Sequence, residues 1–234
     1  FDMKIAIMQP YIFPYIGYFQ LMSAVDKFIF YDDVRYANNK WVNRNKIILN
    51  GEEHYFTIPL NAKKQSTLIK DLKLNVDKKW IKKFRSLIRH AYHKDSYFDL
   101  IYPMINEIIE FETEYLIDWQ LYSFEKINSY LKIDTSLKKS SYNSESINFS
   151  GQDRIIKICI DEKANTYINP FNGKSLYNNK SFEFNKIKLK FLESKPHDNN
   201  ISKTFSNSSI LDILMKNNVA KIRLQLQNYI IHEL

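Results

Sequence analysis

Lys4-Ile-Ala-Ile-Met8, then Gln9-Pro-Tyr-Ile-Phe-Pro-Tyr-Ile-Gly-Tyr-Phe-Gln20, then Asp26-Lys-Phe-Ile-Phe-Tyr31 is the stretch that decides the fold. Lys4 to Met8 and Asp26 to Tyr31 read as short β-strands. Gly17 to Val25 between them reads as a helix, with Phe19, Leu21, Met22 and Val25 sharing a face. Strand, proline-bearing loop, helix, strand is the opening of an α/β sheet. Such sheets bind ligands beyond the carboxyl ends of their strands, where helix N–H groups favour anions. The loop from Gln9 to Gln20 is therefore the first place to look for chemistry. Two prolines stiffen it and Gly17 permits close approach. Its tyrosines either meet a base or sugar or pack over the sheet.

Outward from this opening, Trp41 to Leu49 and His54 to Ile58 flank Asn50-Gly51, a strong hairpin-turn signal, and Pro59 ends the unit. The middle reads as helical. Trp80, Ile81, Phe84, Leu87, Ile88 and Ala91 recur at helical spacing within Asp77 to Tyr92. Ser96 is expected to cap a helix through Leu100, with Pro103 interrupting it before Met104 to Phe111. Thr113 is expected to cap Tyr115 to Leu131. Ser136 to Ser150 is polar and reads as a loop between halves. Beyond it come a helix over Asp153 to Asp161 and strands over Thr166 to Ile168 and Lys186 to Leu192. Ser208 or Ser209 caps Ile210 to Met215, and Val219 to Asn228 reads as a last helix.

The expected fold is α/β: a single mainly parallel sheet with flanking helices, Rossmann-like. Residues 3–60 and 151–234 are expected to form the α/β core and one sheet, with 61–150 a mainly helical insert.

Composition narrows the function. The 234 residues suit one large domain or one domain with an appendage. Four scattered glycines exclude a Walker-type phosphate loop and a G-x-G-x-x-G fingerprint, both of which need clustered glycines. The single Cys159 excludes a disulfide scaffold and a multi-cysteine zinc site. No apolar run approaches the roughly 20 residues that cross a bilayer, so no membrane insertion is expected. No signal peptide precedes Met3, and Phe1-Asp2 reads as a cloning remnant, so bacterial cytoplasm is the expected location. The net charge of +8 suits an anionic partner or reflects a lysine-rich proteome.

Asp32 and Asp33 follow the second strand directly. Paired carboxylates there either hold Mg²⁺ beside phosphates, accept a proton, or form a solvated turn. In Trp41-Val42-Asn43-Arg44-Asn45, strand alternation places Trp41, Asn43 and Asn45 on one face and Arg44 on the other. Arg44 suits a phosphate or carboxylate, or a surface pair. His90 and His93 at a helix end complement the dipole more readily than they bind a metal; no metal site is expected.

Met8 to Leu21, Asp26 to Val34 and Trp41 to Asn45 closely resemble the WbqC-like protein family. So do Gly-Gln-Asp-Arg at Gly151 to Arg154, Tyr-Ile-Asn-Pro at Tyr167 to Pro170 with Gly173 and Leu176-Tyr177, and Ser208 to Met215. The chain departs from the family pattern near 196–203, where a Tyr-x-Gln is expected and absent. The resemblance implies a place in O-antigen or other surface-polysaccharide synthesis, with glycine transfer to an amino sugar as the suggested activity. The opening is also similar to that of adenylyl-transferring enzymes such as pantothenate synthetase, with Tyr18 standing where those carry a histidine.

These readings together predict an acyl- or aminoacyltransferase acting on a nucleotide-linked amino sugar, or else an accessory protein that binds one. Asp33 or Asp32 is the expected base, and Tyr18 completes the catalytic set. Arg44 or Arg154 is expected to hold the anion. Gln9, Tyr11, Tyr15, Gln20, Trp41, Asn43, Asp153, Asn169, Tyr177, Ser208 and Ser209 line the substrate site. The donor is left open among ATP-activated glycine with Mg²⁺, an acyl-CoA and an aminoacyl-tRNA; tRNA is the less expected partner.

Overall fold

The computed structural model describes residues 2–37, 41–64, 66–143, 145–195 and 209–233. Its centre is a six-stranded sheet. The strands are β1 (Lys4–Met8), β2 (Lys27–Phe30), β5 (Ser136–Lys139), β6 (Thr166–Pro170), β7 (Lys188–Ser194) and β8 (Tyr229–Glu233), in the order β5-β2-β1-β6-β7-β8. All neighbours run parallel except the last pair, β7 and β8. The order reverses between β1 and β6, the doubly wound pattern of Rossmann-like sheets. The α/β, mainly parallel expectation holds.

Alternation along the strands feeds two cores. Ala6, Phe28 and Phe30 face one, while Ile5, Ile7 and Ile29 face the other. On the first face lie α1 (Ile16–Ser23), α2 (Lys78–Tyr92), α3 (Phe98–Ile109), α4 (Leu116–Leu131), α7 (Ile210–Lys216) and α8 (Val219–Leu226). On the second lie α5 (Gly151–Asp161) and α6 (Asn179–Phe184). Gln20, buried in α1, donates to the carbonyls of Gln225 (2.8 Å) and Asn228 (3.1 Å), tying the opening helix to the end of α8.

Several local expectations need correction. The hairpin of β3 (Arg44–Leu49) and β4 (Glu52–Thr57) turns at Asn50-Gly51 with positive φ at both residues, as Asn-Gly demands, but forms its own two-stranded sheet packed on α2 and α7. Its first strand starts at Arg44, because Trp41 to Asn43 turn to meet the β1 loop: Ile12 N–H donates to Trp41 O at 3.3 Å. The polar stretch after Ser136 supplies the edge strand β5 and is not all loop; an edge needs few apolar side chains. Pro103 lies inside α3, which begins after Tyr97, so it neither breaks that helix nor gives Ser96 one to cap. Tyr115, not Thr113, precedes the first turn of α4. The last expected helix is present as α8, and strand β8 follows beyond the final expected element. Ser209 does cap α7, accepting from Leu211 N–H at 3.2 Å; Ser208 and the 196–203 stretch lie outside the described residues.

Helix α7 carries a buried carboxylate. Asp212 Oδ1 accepts from Tyr92 O–H (2.9 Å) and Ile48 N–H (3.2 Å), while Oδ2 has no partner, and burial raises its pKa. A raised folded-state value means the native chain holds this proton more tightly than the unfolded one does. The resulting stability is fullest below the unfolded value near 3.9 and falls as pH rises through Asp212's own. Asp212→Asn keeps an acceptor for both donors and removes the charge. Its urea-unfolding free energy, relative to the parent, should improve as pH rises from 4 toward 7. A constant difference between the two would show that Asp212 does not titrate in this range.

Candidate functional site

The parallel strands all end on one edge of the sheet, and two side-chain groups gather there. The first is a cavity of about 450 Å³ lined by Met8, Gln9, Pro10, Tyr11, Tyr15, Tyr18, Trp41, Val42 and Lys46. It joins the loop leaving β1 to the start of the hairpin. Tyr11 stands edge-on to Tyr15 (centroids 6.3 Å) and to Tyr18 (6.4 Å) and stacks on Trp41 (5.6 Å, 23°). Trp41 in turn stacks on Tyr55 (6.4 Å, 17°), over which Arg44 lies 4.2 Å from the ring centroid. Burial raises the pKa of Tyr11, Tyr15 and Tyr18, so all three are neutral phenols at physiological pH. Lys46 supplies a cation at the wall, held from outside by Glu53.

Several expected site residues build this cavity without facing it. Asn45 donates to the carbonyls of Ile12 (2.8 Å) and Phe13 (2.7 Å), which fixes the loop against β3. Asn43 donates to Ile58 O (2.9 Å) and accepts from Tyr36 O–H (2.7 Å). Tyr18, by contrast, lines the cavity, but it is buried and its hydroxyl already donates to Gln9 O at 2.9 Å. Ser209 Oγ donates to Phe13 O (2.9 Å), and Ile210 N–H to Pro14 O (2.8 Å). The start of α7 therefore abuts the loop, with its first donors already used by loop carbonyls. Gln20, tied to α8, also stands behind the loop.

The second group lies where β2, β5 and β6 end. Asp32 accepts from Ser141 N–H (2.9 Å) and Ser141 Oγ (2.7 Å), and its backbone N–H donates to Ser140 Oγ (3.2 Å). Asp33 accepts from Ser140 Oγ (2.6 Å) and pairs with Arg154 of α5. Both carboxylates are buried. The Arg154 guanidinium also lies 4.9 Å from the Tyr31 ring centroid. Beside β6, Asn169 donates to Tyr167 O–H (2.7 Å) and reaches Tyr177 O–H (3.3 Å). Asp153 is exposed in the first turn of α5.

Sequence reasoning placed the loop, the Asp pair and the Trp41–Asn45 stretch in one cleft. The structure unites the first and third around the cavity, and gives the Asp pair to Arg154, Ser140 and Ser141. Lys46 escaped notice, although it lies two residues beyond Arg44 on the same face of the strand. A Mg²⁺ ion would need free carboxylate oxygens; those of Asp32 and Asp33 are engaged by hydroxyls, an amide and a guanidinium. Among the described residues no three His, Cys, Asp or Glu side chains stand together as metal ligands, and no helix is long and apolar enough to cross a membrane.

The chain is 42% identical over 60 residues to the "Uncharacterized protein Rv1507c" of Mycobacterium tuberculosis, a match covering 26% of each chain. The match thus spans about a quarter of that curated relative's length. No solved structure matches. The WbqC-like protein family matches residues 9–224, taking in the cavity loop, the hairpin, the Asp32-Asp33 pair and α5. The chain belongs to the WbqC-like protein family.

Proposed function

We propose that this protein forms an amide on the amino group of a nucleotide-linked sugar in surface-polysaccharide synthesis, and holds that sugar in the tyrosine-walled cavity beyond β1. The cavity is the observation that carries the reading. Aromatic walls suit a sugar ring or base, and neutral phenols donate to hydroxyls and phosphates. Lys46, with Arg44 nearby on the hairpin, offers positive charge to a pyrophosphate. The position beyond the carboxyl end of β1, next to the switch from β1 to β6, is where doubly wound sheets bind nucleotides.

In the reaction, the amine nitrogen attacks the carbonyl carbon of an activated glycyl or other acyl group. The bond to the donor's leaving group breaks, its electron pair leaves with that group, and the amine releases one proton. Asp33 and Asp32 were the expected acceptors. Their oxygens are occupied, so the reading gives them the task of fixing Arg154 and the end of β5, with the proton leaving to the departing group or solvent. The same occupied carboxylates favour a second reading, in which the protein binds the nucleotide sugar for a partner enzyme. The donor remains one of three classes: glycine with ATP and Mg²⁺, an acyl-CoA, or an aminoacyl-tRNA. The last would bind with an affinity that falls steeply with salt.

The deciding experiment incubates the protein with a UDP- or dTDP-amino sugar and each donor, followed by mass spectrometry. A glycylated or acylated sugar that vanishes in Tyr11→Ala supports transfer. Thermal stabilisation by the sugar nucleotide without product supports binding alone, and neither effect would overturn both readings. Lys46→Met should raise the dissociation constant for the sugar nucleotide by roughly tenfold to a hundredfold, the worth of one charge-assisted hydrogen bond. Calorimetric titration checks this, and an unchanged constant would remove Lys46 from the site.

A further inference from the structure

We propose that two copies of this chain pair through the α5–α6 face, each inserting Phe184 into a groove on the other. Phe184, the last residue of α6, is 88% exposed, while Phe182 two residues earlier is fully buried. Around it the surface is unusually apolar: Ile160 is 48% and Phe149 45% exposed, and both line the same groove as Phe184. Single exposed apolar residues are ordinary, but a contiguous group marks an interaction surface. Phe149, Ile156, Ile160 and Phe184 line one groove of about 530 Å³ between α5 and α6. A projecting ring thus stands beside a hollow with the same apolar lining. A two-fold axis through this face sets each ring over the other copy's hollow, which is the self-complementarity of an isologous contact.

Charge selects the same occupant. The chain carries +8, yet this face is balanced. Lys157 is held by Glu145 (2.8 Å) and Asp161 (2.6 Å). Asp153 and Lys180 line the groove, and neither makes an ion pair among the described residues. A strongly acidic partner would meet Asp153, Glu145 and Asp161, and a strongly basic one would meet Lys157 and Lys180. A second copy presents both signs and can set Asp153 against Lys180 across the axis. Helices α5 and α6 cover the sheet face opposite the aromatic cavity, so pairing leaves the cavity open and does not depend on its proposed role.

Sedimentation velocity over a series of micromolar concentrations tests the pairing. The parent chain should show a concentration-dependent dimer, and Phe184→Ser should raise the dimer dissociation constant at least about tenfold, as loss of a central aromatic does. Compared at concentrations where both are monomeric, the variant should melt like the parent, because Phe184 is exposed. Asp153→Lys should weaken the dimer, and adding Lys180→Asp should restore it. A monomer at every concentration, or a dimer indifferent to Phe184→Ser and Asp153→Lys, would overturn the proposal.

Discussion

Arg154→Met should lower the free energy of unfolding by about 3–5 kcal/mol, because it leaves Asp33 buried without its counter-charge. The side chains of Arg154 and Asp33 are only 6% and 2% exposed, so water cannot take over the role of either. For a chain of this length the loss corresponds to a fall in melting temperature on the order of 10 °C. In urea the midpoint should drop while the slope holds. Asp33→Asn combined with Arg154→Met should recover much of the loss, since no lone charge then remains in the core. A single variant that melts with the parent would show that the pair does not brace the carboxyl edge of the sheet.

Gly17→Ala should leave stability nearly untouched and weaken sugar-nucleotide binding about tenfold or more. A Cβ at Gly17 would lie 2.5 Å from Tyr15 Cε2 and 3.1 Å from Cδ2, so the ring must swing aside. Helix α1 itself loses nothing, because alanine favours a helix over glycine by about 1 kcal/mol. Tyr15 is a cavity wall, and displacement of a positioning group by about an ångström can cost up to a hundredfold. Titration calorimetry alongside thermal melting separates the two effects. Tight binding in a well-folded Gly17→Ala chain would place the ligand away from Tyr15.

The opening of the fold was legible because β1, the proline loop, α1 and β2 each carry a complete local signal. Asn50-Gly51 and the Ser209 cap were legible for the same reason. The edges were not. Ser136-Leu-Lys-Lys139 offers one apolar side chain, enough for a strand that borrows its order from β2. Strand β8 is only partly buried and follows directly on a helical pattern. The partners of Asp32 and Asp33 were hidden for a related reason. Ser140 and Ser141 sit in a serine-rich stretch that reads as loop, and only the pairing of β5 with β2 carries them to the carboxylates. Around the cavity, Asn43 looked like a ligand contact because an asparagine that braces a carbonyl and one that binds a sugar have the same sequence appearance.

The position of β1 between β2 and β6 has a consequence for synthesis. At ribosomal rates of about 5–20 residues per second, roughly 8–30 s separate the emergence of β1 from that of β6. During that interval β1 has a neighbour on one side only, and Ile5, Ile7 and Ile29 stay uncovered until α5 emerges shortly before β6. An unpaired strand edge beside uncovered isoleucines is a template for intermolecular association. A truncated chain ending before Gly151 should therefore aggregate more readily than the full chain.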